Sequence, residues 1–235
     1  MQFNSGTESI VSDIYFLTDT SATSYLLSDL TRNVNRWAYS VQMAMIQGNH
    51  RWQVDDSNLT TLPHLDTTLV DGQADYTLPS GFIRVERVEV KDSNGDYQKL
   101  KLIDHRDIKE GYSEFEETPG MPIYYDLVGN SLILKPTPAT ASVTLSEGLR
   151  AHILREIDIF TVSDDTQELG FPEPFHRIVT YGASYDYLIA RGDYDKATSY
   201  RNEAEALLES LRNFSSTMGD EHIRIRPSHR TSNYI

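Results

Sequence analysis

Residues 75–90, DYTLPSGFIRVERVEV, decide how the middle of this chain folds. Asp75 to Leu78 runs into Pro79-Ser80-Gly81, a turn cluster, because proline presets φ and glycine tolerates backbone shapes that other residues resist. From Phe82 to Lys91 the apolar Ile83, Val85, Val88 and Val90 are interrupted by Arg84, Glu86, Arg87 and Glu89. A near period of two puts one strand face on a core and the other in water. Asp92-Ser93-Asn94-Gly95 follows; Asn-Gly is the strongest short hairpin signal, so Tyr97 to Ile103 is expected as the return strand. A second hairpin reads Ile123 to Leu127, a Val128-Gly129-Asn130 turn, then Ser131 to Lys135, with Pro136 and Pro138 closing it. Val143 to Leu145 and Ile153 to Thr161 are further expected strands. Several short strands with regularly spaced turns indicate an antiparallel sandwich or small barrel.

Outward from this block the period changes. On the N-terminal side, Glu8 to Leu17 can form a short helix, broken by the Thr and Ser cluster from Thr18 to Thr23. Ser24 is placed to cap the next helix. Beyond it Leu27, Leu30, Val34, Trp37, Val41 and Met45 recur every three or four residues, one stripe of period 3.6. Gly48 stands where a C-terminal glycine belongs. On the other side, Pro172 and Pro174 open a helix whose apolar face is Phe175, Ile178, Val179, Ala183, Leu188 and Ile189. After Gly192-Asp193, a second stripe runs from Ala197 through Tyr200, Ala204, Leu207, Leu208 and Leu211 to Phe214. These end helices are short of apolar surface and are expected to pack on each other. The expected fold is α+β: a helical bundle from residues 1–50 and 166–218, an inserted antiparallel β-sandwich or barrel domain over 51–165, and an extended tail over 219–235.

That tail, GDEHIRIRPSHRTSNYI, carries three arginines against two acids. Its alternation, His222-Ile223-Arg224-Ile225-Arg226, suits addition to a sheet edge or an acidic groove. A disordered terminus is the other reading, and the pattern alone leaves both open. Seventeen residues reach ~56 Å when extended.

Composition excludes several chemistries. The 235 residues include no cysteine, which removes disulfides, thiolate metal sites and a cysteine nucleophile. A net charge of −14, from 21 basic and 35 acidic side chains, argues against wrapping duplex DNA, which takes concentrated Lys and Arg. No run approaches the ~18 apolar residues of a membrane span, and MQFNSGTESI is too polar for a signal peptide. The seven histidines (50, 64, 105, 152, 176, 222, 229) include no pair at helical i, i+4 spacing, so they read as solvated or capping groups. His105-Arg106-Asp107 matches a kinase catalytic-loop triplet, but the glycine-rich loop, strand lysine and metal-binding DFG that chemistry needs are missing. Neither GxSxG, GxxxxGK[ST] nor GxGxxG occurs. The acids Asp55-Asp56, Glu114, Glu116-Glu117 and Asp164-Asp165 could serve acid–base catalysis only if two faced each other across a cleft; adjacent acids are ordinarily a solvated loop. The 14 tyrosines, apolar rings with polar tips, suit either interfaces or strand edges.

The order DYTLPSGFIRVERVEV (75–90), YQKLKLID (97–104), PGMPIYYDLVGNSLILKPTP (119–138) resembles the head-to-tail adaptor, or connector, proteins of tailed bacteriophages. The segment FPEPFHRIVTYGASYDYLIARGDYDKATSYRNEAEALLESLR (171–212) is similar to their closing helices. The resemblance covers roughly residues 20–215 and implies a structural virion protein, not an enzyme, with no cofactor. It implies a homo-oligomeric ring, a dodecamer, between the portal protein and a downstream tail or terminator protein, assembled in the host cytoplasm. DNA would pass through the channel without specific binding, which an acidic wall permits; no membrane is involved. It also implies that the C-terminal extension docks on the portal through Ile223, Arg224, Ile225 and Arg226, with Arg230, Tyr234 and Ile235 reaching further. Another virion ring protein, such as a tail terminator or tail-tube subunit, is the alternative; its β-dominated fold fits the long flanking helices less well. A hydrolase rests on the acid-rich β block alone.

Overall fold

Helix formation follows local signals at most of its boundaries. The computed structural model describes residues 1–48, 64–103 and 118–218. Helix α1 (Ile10–Thr18) starts with a reciprocal cap. The Ser9 hydroxyl accepts from the Ser12 N–H at 3.2 Å, and the Ser12 hydroxyl accepts from the Ser9 N–H at 3.1 Å. Helix α2 (Leu27–Gly48) begins three residues later than its expected cap. Ser24 spends its hydroxyl on Ser21, accepting from that N–H at 3.0 Å and donating to that C=O at 3.2 Å. Helices α3 (Arg177–Arg191) and α4 (Tyr194–Met218) meet at Gly192, whose φ of 84° is left-handed backbone suited to glycine.

The chain divides into two units, one drawn from residues 1–52 and 159–235, the other from 53–158. In the first, α2 packs on α3 and α4, and α1 on α3. The expected stripe is largely buried: Leu30, Val34, Val41 and Met45 on α2 are buried, as are Ile178 and Val179 on α3 and Leu211 on α4, the helices against which α2 packs. Two glycines set the helix spacing. A Cβ on Gly182 would lie 2.0 Å from Cδ2 of Trp37. Gly48 does the same between α2 and α4: a Cβ there would lie 2.7 Å from the Arg212 carbonyl oxygen. Gly48 is also the last described residue of α2, the position at which the sequence predicts a helix-ending glycine. Tyrosines also join elements: Tyr25 stacks on Tyr187 at 4.1 Å, Tyr181 on Tyr200 at 5.8 Å, and the Tyr200 hydroxyl donates to the Leu17 carbonyl at 3.0 Å.

Among its described residues the second unit holds eight strands: β1 (His64–Thr67), β2 (Asp75–Thr77), β3 (Phe82–Lys91), β4 (Tyr97–Lys99), β5 (Lys101–Leu102), β6 (Tyr124–Val128), β7 (Ser131–Lys135) and β8 (Leu149–Arg155). They form two four-stranded sheets, ordered β1-β8-β3-β4 and β2-β7-β6-β5. Val88, Val90, Leu100, Tyr125, Leu132, Leu134 and Ala151 share one buried cluster drawn from both sheets. No closed barrel is present among the described residues.

Both hairpins form. Lys91 pairs with Tyr97 across the Asn94-Gly95 turn, where Gly95 has φ 89°. Asp92 holds that turn by accepting from the N–H groups of Asn94 and Asp96 at 2.9 and 3.1 Å. Val128 pairs with Ser131, leaving the two-residue loop Gly129-Asn130.

Four strand expectations need correction. The return strand breaks at Leu100, which is 2% exposed; β4 ends in one sheet and β5 joins the other. There β5 pairs parallel with β6, so the unit is not wholly antiparallel. Ile83 is exposed, because bulges between Phe82 and Arg84 and between Val85 and Arg87 shift the inward set to Phe82, Val85 and Val88. Val143 makes only an isolated bridge to Asp92, and the strand expected over Ile153 to Thr161 ends at Arg155.

Candidate interaction surface

All seven expected docking residues, Ile223, Arg224, Ile225, Arg226, Arg230, Tyr234 and Ile235, lie outside the described residues, as do Asp55, Asp56, Glu114, Glu116, Glu117 and the His105-Arg106-Asp107 triplet. The described chain ends on α4, whose Ser215 is buried and lies opposite Gly48. Asp164 is a turn residue: its carboxylate accepts from the Thr161 N–H at 2.6 Å. The Asp165 carbonyl accepts from the Asn4 N–H at 2.9 Å, so this acid pair belongs to a loop that the N-terminal segment crosses.

On the outward side of α2 the helical unit forms a groove of about 560 Å³. Arg32, Asn35, Arg36 and Tyr39 line it from the helix, and Phe160 and Val162 from the segment after the β unit. Asn35 builds it. Its amide nitrogen donates to the Phe160 carbonyl at 2.8 Å and its amide oxygen accepts from the Phe160 N–H at 2.9 Å, a two-way clamp. Phe160 is buried by stacking on Phe3 at 4.4 Å. Val162 is 55% and Tyr39 40% exposed, so apolar surface remains open to water. Two guanidinium groups edge it: Arg32 is 3.3 Å from Asp29 and Arg36 is 3.7 Å from Asp186.

Behind the groove, Trp37 donates its indole N–H to Asp186 at 3.0 Å. Burial raises the Asp186 carboxyl above its ordinary value, opposed by Arg36 and by the Trp37 hydrogen bond. Tyr25 is likewise pushed upward, first by burial, although Asn33 donates to its oxygen at 2.7 Å. Both groups join elements of the helical unit and offer no nucleophile–base pair.

In the β unit, register aligns Lys99, Glu89, Arg150 and Asp66 as one rung across four strands. Arg150 grips Asp66 through two bonds, 2.7 and 2.9 Å, and its hydrogen bond lowers the Asp66 carboxyl most. Glu89 pairs with Arg87 and lies 3.3 Å from His152, whose ring is 5.8 Å from that of His64. Lys91 and Arg150 sit over the Tyr97 ring at 5.0 and 4.1 Å. Alternating charge makes this an ion-pair ladder; no group of three His, Asp or Glu among the described residues is arranged to hold a metal ion. The reading of histidines as solvated or capping fails at His176, which is 2% exposed, packs edge-on against Phe171 and hydrogen-bonds the Phe171 carbonyl at 2.7 Å. No helix of the described residues is long and apolar enough to cross a membrane.

The helical unit thus carries an open groove along α2, and the β unit a charge-paired sheet face. The family model described as SU10 adaptor protein matches residues 15–226. The chain belongs to the SU10 adaptor protein family. Membership agrees with the head-to-tail adaptor resemblance and makes the protein a structural component of a phage virion. The SU10 match takes in both helical segments, the β unit and Ile223 to Arg226. Among curated proteins none matches the chain. Sequence reasoning missed the Asn35 clamp, and no local signal could have found it, since its partner is 125 residues away. Gly182 opposite Trp37 went unnoticed for the same reason.

Proposed function

We infer that the protein is a head-to-tail adaptor: copies assemble as a ring, a dodecamer, between the portal and the next tail component, and extend the DNA channel without catalysis. The observation that carries this reading is the family match across 15–226. Its net charge of −14 adds support, since a wall that repels phosphate lets DNA slide. Within this reading 1–50 and 166–218 form the helical bundle, 51–165 the inserted domain, and 219–235 the portal-docking tail. Docking falls to Ile223, Arg224, Ile225 and Arg226 by strand addition or groove contact, with Arg230, Tyr234 and Ile235 beyond them. Heterologous contacts of one repeated kind close a ring when the rotation between copies divides the circle.

Mixing the full chain with its cognate portal rings and imaging the product tests this. The expected result is a second ring on the portal's tail-facing side, lost when residues 219–235 are deleted. Unchanged portal binding by the 1–218 chain would remove the docking assignment. Localisation within the tail tube, or at its far end, would replace the adaptor reading with a tube or terminator subunit.

A further inference from the structure

Helix α1 presents Phe16 to solvent at 85% exposure, the most exposed large apolar side chain among the described residues. Both hydroxyls of its capping box and the buried Ile10 and Ile14 hold the helix that displays it. Its own segment is acidic: residues 1–31 contain Glu8, Asp13, Asp19 and Asp29 and no Lys or Arg, and of these Asp13 is faced by Arg177 of α3 while Asp19 is exposed. Asp19, exposed, closes α1 three residues after Phe16, and Asp13 stands three before it on the same helix face. An exposed aromatic ring with acids around it calls for an apolar recess with cations at its rim.

The α2 groove is such a recess. It offers the Tyr39 ring and Val162 as apolar walls, is an open recess of about 560 Å³, and carries Arg32 and Arg36, whose side chains are 72% and 74% exposed. The chain's own Phe16 does not line it. The C-terminal tail is a poorer occupant, because its three arginines would face Arg32 and Arg36.

We propose that Phe16 of one copy seats in the α2 groove of the next, with the exposed Asp19 approaching Arg32 and Arg36. Knob and recess are different surfaces of one helical unit, so the contact is heterologous, the kind that builds rings. It rests on the ring-adaptor reading and names the anchor of its subunit interface. A stable interface buries ~1,200–2,000 Å², so Phe16 is a central anchor within a larger contact.

The absence of native cysteine makes the test specific. A full-length chain carrying Thr20→Cys and Thr161→Cys, which keeps Phe16 and the apolar walls while placing one thiol beside the knob and one at the groove, assembled on portal rings and oxidised with copper–phenanthroline, is expected to give a ladder of disulfide-linked oligomers. A Thr20→Cys, Glu203→Cys chain, its second cysteine on α4, should not. Phe16→Ala, at an exposed site where folding is unaffected, should lower ring occupancy of portals at limiting protein by at least ~10-fold. Normal rings with no ladder and undiminished Phe16→Ala occupancy overturn the contact while the adaptor reading stands. A ladder as strong from the Glu203 pair also overturns it. Failure of the unsubstituted chain to form any ring on portals removes both readings.

Discussion

Replacing Gly182 with alanine puts the spacing of α2 and α3 to a quantitative test. The new Cβ would lie 2.0 Å from Cδ2 and 2.4 Å from both Cε2 and Cγ of Trp37. These are atoms of the rigid ring, so it must move by about 1.5 Å to restore ordinary contact. Overpacking of this kind costs ~1–3 kcal/mol. Moving the indole also breaks the 3.0 Å bond from its N–H to Asp186, and hydrogen bonds to charged groups contribute ~1.5–3 kcal/mol. Against this, alanine is ~1 kcal/mol better than glycine inside a helix. The net expectation is a loss of ~1.5–5 kcal/mol, or a fall in Tm of roughly 3–20 °C at ~2–4 °C per kcal/mol. Trp37 fluorescence in a Trp52→Phe background follows the helical unit directly. Gly192→Ala is the matched control: its Cβ would meet nothing within 4 Å, so only its left-handed φ of 84° opposes the change, at ~1 kcal/mol. If Gly182→Ala melts at or above the parent temperature, the close-approach reasoning is wrong.

Asp186→Asn keeps an oxygen for the Trp37 N–H and removes a charge that burial disfavours, so its Tm at pH 7 should equal or exceed the parent's. Asp186→Ala, which strands the indole donor, should lose ~1–3 kcal/mol in the same calorimetric scan. Because the folded-state pKa of Asp186 is raised, protonation favours the fold; its contribution improves as pH falls through the raised pKa, and melts of the Asn variant from pH 7 to 4 should lack that component. Asp66 behaves oppositely: Arg150 depresses its pKa, so its contribution is present above the unfolded value of ~3.9 and lost as pH falls through the folded one. Asp66→Asn should cost under ~1 kcal/mol at pH 7, as partly exposed pairs do, with the gap to the parent closing in acid urea titrations. Gly48→Ala should lower the helical unit's melting temperature, since its Cβ would strike the Arg212 carbonyl, backbone that cannot swing aside.

The local parts of this protein are written in short windows of sequence. The two hairpins form where Asn94-Gly95 and Gly129-Asn130 stand, and the α2 stripe is buried at period 3.6, because turn chemistry and helical periodicity involve residues within a few positions of one another. Windows that short cannot report partners far along the chain. Leu100 breaks an expected strand because it turns into a core shared by two sheets; Ile83 faces outward because bulges reset the register against β8. Likewise the candidate groove exists only because Asn35 clamps Phe160, and the helix spacing only because Gly182 admits Trp37. Such pairings are settled by packing, where side-chain shape and hydrogen-bond completion over more than a hundred residues of separation outweigh what neighbouring residues prefer.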